Sequence, residues 1–125
     1  MNKKIGLTKN KEFSFVFNKG NSVADRLLVI YSVPNGKNIT RFGYSVGKKV
    51  GKAVTRNRYK RILREIKRHN YAQLKEGFDC VIIARPKILR ESYLEIEKSF
   101  KKLLKKAKII EKGRKGHEIS DNKDD

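Results

Sequence analysis

The side chains of this chain best suited to chemistry are cations, and they are bunched. Between Lys48 and Arg68 stand Lys48, Lys49, Lys52, Arg56, Arg58, Lys60, Arg61, Arg64, Lys67 and Arg68, with Glu65 the only acid among them. Ammonium and guanidinium groups at this density neutralise phosphates, and arginine can grip two oxygens of one phosphate at once. A run of charge is ordinarily a solvated face, but such faces mix signs. Here like charges recur at i, i+4, which costs about 0.2–0.5 kcal/mol per pair. Arg56 and Arg58 also fall at the positive end of a helix dipole, at a cost of ~0.3–1 kcal/mol each. A sequence that keeps these costs points to a phosphate-bearing partner. The preceding segment, Gly47-Lys48-Lys49-Val50-Gly51-Lys52, agrees with this. It can bring backbone close to an anion, and the helix start beyond it offers unpaired N–H groups.

Other reactive groups are sparse. His69 and His117 are the only histidines, and neither has a second zinc ligand nearby in sequence. Cys80 lies inside an apolar run and reads as a buried, inert thiol. A single cysteine excludes an intramolecular disulfide and suits a reducing cytoplasm. Asp25 and Asp79 are isolated, and there is no phosphate-loop signature, paired-carboxylate motif or nucleophile elbow. The expectation is a protein with no catalytic residue and no metal site of its own.

Composition sets the frame for those residues. In 125 residues, 32 lysines and arginines oppose 13 acids, a net charge of +19. That length suits one domain with a modest core. At 38% hydrophobic and 36% charged residues, the chain is too apolar for a disordered basic tail and too charged for a membrane protein. No apolar run approaches a membrane span, and Met1-Asn2-Lys3-Lys4 does not open a secretory signal. The excess positive charge calls for a polyanion. One domain over residues 1–110 is expected, followed by a polar tail, 111–125, whose sign changes from Lys112 and Arg114 to Asp124 and Asp125; its polarity predicts disorder.

The elements that must position the cations follow from periodicity. A first helix is predicted over about Lys9–Asn18, capped by Thr8 and ended by Gly20, with Phe13, Val16 and Phe17 on one face and Phe15 on the other. An extended run, Ser22 to Val33, is long for one strand and is expected to bend or split at Asp25-Arg26. Pro34-Asn35-Gly36 is a turn signal that favours a hairpin with the next run, Ile39 to Val46. A helix over about Arg56–His69 carries Tyr59, Ile62, Leu63 and Ile66 as an apolar stripe, with Thr55 as cap. On it Arg56, Lys60, Arg64 and Lys67 form one basic ridge, and Asn57, Arg61 and Arg68 a second. Phe78–Arg85 reads as a central strand covered on both faces. A last helix over about Tyr93–Ile110 starts with the capping-box pair Ser92 and Glu95. The order predicts an α/β, two-layer α+β sandwich in which three helices pack on a small mixed sheet.

The choice between DNA and RNA is open at this level. A basic helix can enter a DNA major groove, but only Asn57 resembles a base-reading side chain, and no second helix precedes it. Cation clusters near aromatic residues suit RNA, whose unpaired bases stack. Phe13, Phe17 and Tyr31 are stacking candidates, and core packing is the competing role for each.

The stretch from Arg41 to Glu65, RFGYSVGKKVGKAVTRNRYKRILRE, closely resembles the signature of the protein subunit of bacterial ribonuclease P. Gly43, Val46, Lys48, Lys49, Gly51, Ala53, Val54, Arg56, Asn57, Lys60, Arg61 and Arg64 match it without a gap. Phe13, Phe17 and Gly20 resemble that family's first helix, Ser22-Val23-Ala24 with Arg26 its first strand, and Phe78 to Arg85 its last. The likeness spans about Leu7–Ile110; the acidic tail has no counterpart, and Phe15 fills a place usually more polar. The resemblance implies a basic partner of a catalytic RNA that removes the 5′ leader of precursor tRNA, with magnesium held mainly by the RNA. It implies a ribosomal-protein-like fold of four strands with a left-handed βαβ crossover, so that the long first run must supply two strands. It implies that Lys48, Lys49, Lys52, Arg56, Asn57, Arg58, Lys60, Arg61, Arg64 and Arg68 meet the RNA subunit. Phe13, Phe17 and Tyr31 would line a cleft for the single-stranded leader. DNA and membrane are not expected partners. A ribosomal or other structural RNA-binding protein is the alternative, and a stand-alone nuclease using Asp25 or Asp79 a third reading.

Overall fold

A computed structural model describes residues 10–110. The Thr8 cap, with the rest of residues 1–9, and the tail lie outside that range. Helix α1 spans Asn10–Lys19 and is followed by strands β1 (Asn21–Ala24), β2 (Leu28–Pro34) and β3 (Arg41–Val46). Helix α2 (Ala53–His69), strand β4 (Phe78–Ala84) and helix α3 (Tyr93–Lys106) complete the chain, with short 3-10 turns on either side of β4.

The long extended run does supply two strands. Asp25 breaks it: its Oδ1 accepts hydrogen bonds from the backbone N–H groups of Leu27 (2.9 Å) and Leu28 (3.0 Å), folding β1 back on β2. The Asn35-Gly36 turn, by contrast, does not close a hairpin. β4 lies between the two strands that the turn connects, in the order β1-β2-β4-β3. Local turn chemistry fixed a reversal there, with Gly36 at φ +70°, but strand pairing was decided by the nearly all-apolar β4, which only a central position buries on both faces.

β4 is antiparallel to β2 and parallel to β3, so α2 forms the crossover between β3 and β4. Its hand follows from backbone chirality. The Arg85 N–H bonds the Leu27 carbonyl (2.9 Å), so the odd-numbered residues of β4 bond toward β2 and the even-numbered ones toward β3. Cys80, Ile82 and Ala84 share a core with Leu63, Ile66 and Phe100, so the even side chains face α2 and α3. For L-residues pointing at the viewer on an upward strand, N–H and C=O point right. Seen from the helices, β3 therefore lies to the right of β4, and the connection runs leftward. The crossover is left-handed, against the usual rule.

The main core fills the space between the sheet and these two helices: Leu28, Ile30, Phe42, Ile82, Leu63, Ile66, Ile96, Phe100, Leu103 and Leu104. A smaller cluster on the opposite face joins Val16 of α1 to Val81, with Phe13, Tyr31, Val33 and Ile83 around them. α1 ends where expected. The Gly20 N–H bonds the Val16 carbonyl (2.8 Å), and a Cβ on Gly20 would stand 2.6 Å from that oxygen and 2.8 Å from the Ser32 carbonyl oxygen, so only glycine fits.

The end of α2 at His69 and the start of α3 at Tyr93 are as expected, but the other end of each helix differs from the sequence reading. α2 begins at Ala53 with Lys52 at the N-cap, so Thr55 sits inside the first turn and caps nothing. α3 stops at Lys106, not Ile110. Lys108 takes a left-handed conformation (φ +63°); its N–H bonds the Lys105 carbonyl (3.0 Å) and that of Ile109 bonds the Leu104 carbonyl (2.9 Å). This paired arrangement is a Schellman end, and it turns Ile109 and Ile110 into the core. The apolar periodicity thus continued past the helix because the turn itself buries apolar side chains.

Candidate nucleic-acid interface

α2 presents its cations because its apolar stripe is used up. Tyr59, Leu63 and Ile66 are buried against the sheet, and Ile62 is partly buried. Asn57, Arg58, Arg61, Arg64 and Arg68 are consequently exposed, and Lys48, Lys49 and Lys52 are exposed on the loop before them. Arg56 and Lys60 are half-buried. Arg56 braces the loop: its Nε donates to the Gly51 carbonyl (3.1 Å). The structure thus brings the loop and helix cations onto one continuous surface. Among the described residues, the ion pair formed there is Arg68 with Glu65 (2.6 Å), and His69 Nε2 lies 3.9 Å from the same carboxylate.

The N-terminus of α2 is bare. The Lys52 side chain makes no capping hydrogen bond, the first turn holds no acid, and Val54 is 81% exposed. The leading N–H groups of a helix need acceptors, and an anion meets that need while sitting on the positive end of the dipole. Lys52 stands at this end, and the exposed Lys48 and Lys49 lie in the turn that leads into it.

At the β3 side of α2 the first basic ridge leans onto aromatic rings. The Arg64 guanidinium lies 6.0 Å from the Tyr44 ring centroid, and Lys67 Nζ lies 5.9 Å from Phe42 and 5.6 Å from Tyr71. Burial lowers the Lys67 pKa. The Tyr44 hydroxyl is buried with no hydrogen-bond partner, and burial pushes its pKa far up against the opposing charge of Arg64. Sequence reasoning missed Tyr44: alternation puts it on the same face of β3 as Phe42 and Val46, but cannot show Arg64 beside its ring.

The aromatic candidates also meet. Phe13 and Phe17 stack with centroids 6.5 Å apart, and Phe17 meets the edge of Tyr31 at 5.1 Å. Phe13 and Tyr31 are half-buried, while Phe17 is 40% exposed. They lie where α1 crosses the sheet, on the face opposite α2 and α3. Phe15, on the far side of α1, is 52% exposed and outside this group.

The two isolated carboxylates are committed to structure. Asp79 receives Arg41 Nε (2.8 Å) and Nη2 (2.7 Å), and Asn35 Nδ2 (2.8 Å). Burial alone would raise its pKa, but these hydrogen bonds and the charges of Arg41 and Lys37 outweigh burial and hold it below the usual carboxylate value. Asp25, also lowered despite burial, binds Ser99 Oγ (2.7 Å) and Lys102 Nζ (3.2 Å) besides its two backbone donors. Cys80 is fully buried, and burial pushes its thiol pKa far up. Among the described residues, no cluster of three or more His, Cys, Asp or Glu could hold a metal ion. No helix among them is long and apolar enough to cross a membrane.

Comparison with known proteins settles the kinship of this arrangement. The ribonuclease P family model matches residues 1–108. The chain belongs to the ribonuclease P protein family. It is 45% identical over 105 residues to the ribonuclease P protein component of Caldanaerobacter subterraneus subsp. tengcongensis, covering 84% of this chain and 90% of that one. With the Clostridium botulinum component it shares 49% over 104 residues, 82% of this chain and 94% of the relative. Among solved structures, the RNase P protein of Staphylococcus aureus superposes with a TM-score of 0.81 at 35% identity, covering 87% of this chain and all of that one. That of Thermotoga maritima gives 0.77 at 33%, covering 82% and 97%. The family makes the chain the RNA-binding protein component of a tRNA-processing endoribonuclease, and its fold is that of the ribonuclease P proteins.

Proposed function

We propose that the α2 surface docks the catalytic RNA subunit and that the aromatic group on the opposite face holds the single-stranded 5′ leader of precursor tRNA. The observation that carries this reading is the separation of the two surfaces by the sheet. A cationic helix with a bare N-terminus lies on one face, and stacking-competent rings lie on the other. Structured RNA is held by its phosphates, which suits Lys48, Lys49, Lys52, Arg56, Arg58, Lys60, Arg61, Arg64 and Arg68, with Asn57 adding a side-chain amide. Unpaired bases are held by π-faces, which suits Phe13, Phe17 and Tyr31. The protein then raises substrate affinity without supplying an acid, base or nucleophile. Magnesium, when bound by the RNA, would supply the Lewis-acid chemistry of cleavage, and this chain's residues would bind and orient the RNA and the substrate. The place of action that fits a lone buried thiol is the cytoplasm.

The deciding assay mixes the protein with a bacterial ribonuclease P RNA and precursor tRNA at low magnesium and follows 5′ maturation. Stimulated cleavage supports the reading; RNA binding with unchanged cleavage refutes it. Within that assay Arg61→Ala is expected to weaken RNA-subunit binding and to flatten the log–log salt dependence by about 1. Phe17→Ala is expected to weaken leader-bearing substrate by about 1–3 kcal/mol, the worth of one base stack, and to leave mature tRNA nearly unaffected. Equal losses for both ligands would contradict the cleft assignment.

A further inference from the structure

α3 carries a second cationic strip that the α2 surface does not account for. Its buried residues, Ile96, Ser99, Phe100, Leu103 and Leu104, define the side turned to the core. At 100° per residue, the opposite side holds the exposed Lys98 and Lys105 and the half-buried Lys101, with the exposed Lys108 continuing the line past the helix end. Lys98 is paired with Glu95 at 3.6 Å, and the flanking Lys102 with Asp25 at 3.2 Å. Among the described residues, Lys101, Lys105 and Lys108 have no acid within ion-pair distance.

Two facts separate this strip from ordinary surface charge. Lys101 and Lys105 are like charges at i, i+4, an arrangement that opposes helix formation. The dipole favours cations in the last turn, but it does not account for Lys98 or Lys101 further up the helix. Lys108, moreover, occupies a left-handed position (φ +63°) where glycine is conformationally preferred and a side chain costs about 1–2 kcal/mol. A lysine is kept where a glycine would fold better, at the end of a line of unpaired lysines.

α3 packs on the same face of the sheet as α2, away from the aromatic group. At the junction of the two helices Glu97 receives Asn70 Nδ2 (3.1 Å), and Glu65 pairs with Arg68, so carboxylates interrupt the positive surface there. We infer that Lys101, Lys105 and Lys108 form a second contact with the phosphodiester backbone of the catalytic RNA, separate from the α2 surface. The ligand class follows from charge complementarity, and lysine on a flexible stem fits a phosphate as a point charge without base selection. The choice of the RNA subunit over the leader follows from the shared face with α2. The inference rests on the functional reading above and extends it to α3.

The test compares wild type, the Lys101→Ala/Lys105→Ala double variant, the Lys101→Arg/Lys105→Arg double variant, Lys108→Gly and Arg61→Ala. Full-length protein is titrated with ribonuclease P RNA across a salt series, and thermal melting is recorded for each. The alanine double variant is expected to lose about tenfold in RNA affinity, with the log–log salt slope shallower by up to about 2, while the arginine variant keeps both. Lys108→Gly is expected to melt higher than wild type yet bind the RNA more weakly, a combination that damage to the fold cannot produce. Discrimination between leader-bearing and mature tRNA should not change in any α3 variant. Unchanged affinity and slope in the alanine variant and in Lys108→Gly, alongside a weakened Arg61→Ala, would overturn the α3 contact alone. Absence of RNA-subunit binding by wild type would overturn the functional reading beneath it.

Discussion

At the scale of single residues, the costs in this structure separate folding from function. Tyr44 buries a hydroxyl without a partner. An unmatched buried polar group costs about 1–3 kcal/mol, so Tyr44→Phe should raise the unfolding free energy by ~1 kcal/mol in denaturant titration. Loss of stability instead would mean that the hydroxyl has an acceptor. Asp79 works in the opposite sense. Its pKa is lowered in the folded chain, so its contribution is present above the unfolded value, about 3.9, and is lost as pH falls from there through the folded value. Asp79→Asn should cost about 2–3 kcal/mol at neutral pH, because it leaves Arg41 without its paired carboxylate, and should remove part of the acid sensitivity below pH ~4. A variant with wild-type acid unfolding would exclude that role.

At the scale of elements, α2 is built against its own stability. It has a lysine at the N-cap, no acid in its first turn and stacked cations along its face. Lys52→Asp would supply a capping oxygen and a favourable charge on the dipole, and thermal melting should rise by the equivalent of about 0.5–2 kcal/mol. The same change places a carboxylate where phosphate is expected, so RNA affinity should fall. A variant that gained stability and kept its affinity would detach the helix start from binding. The elements themselves were legible: the α2 stripe, the capping Ser92 of α3, the break at Asp25 and the stop at Gly20 all follow from local chemistry. Pairing was not. Asn35-Gly36 reads as a hairpin locally, and only the demand of β4 for two covered faces moves it between β2 and β3.

At the scale of the whole molecule, +19 charges on 125 residues oppose compaction. Anions bound to the folded surface relieve that repulsion, so sulfate should raise the melting temperature more than chloride at equal ionic strength, and ribonuclease P RNA more than either. Equal shifts for both salts would mean that screening alone matters. The sequence by itself determined the chemistry: which residues are cations, which helix bears them, which rings can stack, and, through the Arg41 to Glu65 signature, the family. These are local or compositional properties, fixed by spacing along a few turns of chain. The resemblance carried by that signature already implied the left-handed crossover and a shared cleft for Phe13, Phe17 and Tyr31; only the tertiary structure decided the contacts that realise them, the place of β4 between β2 and β3, and the pairing of Arg64 with Tyr44. Those depend on contacts between residues far apart in the chain, and periodicity within one element carries no information about which neighbour it will meet.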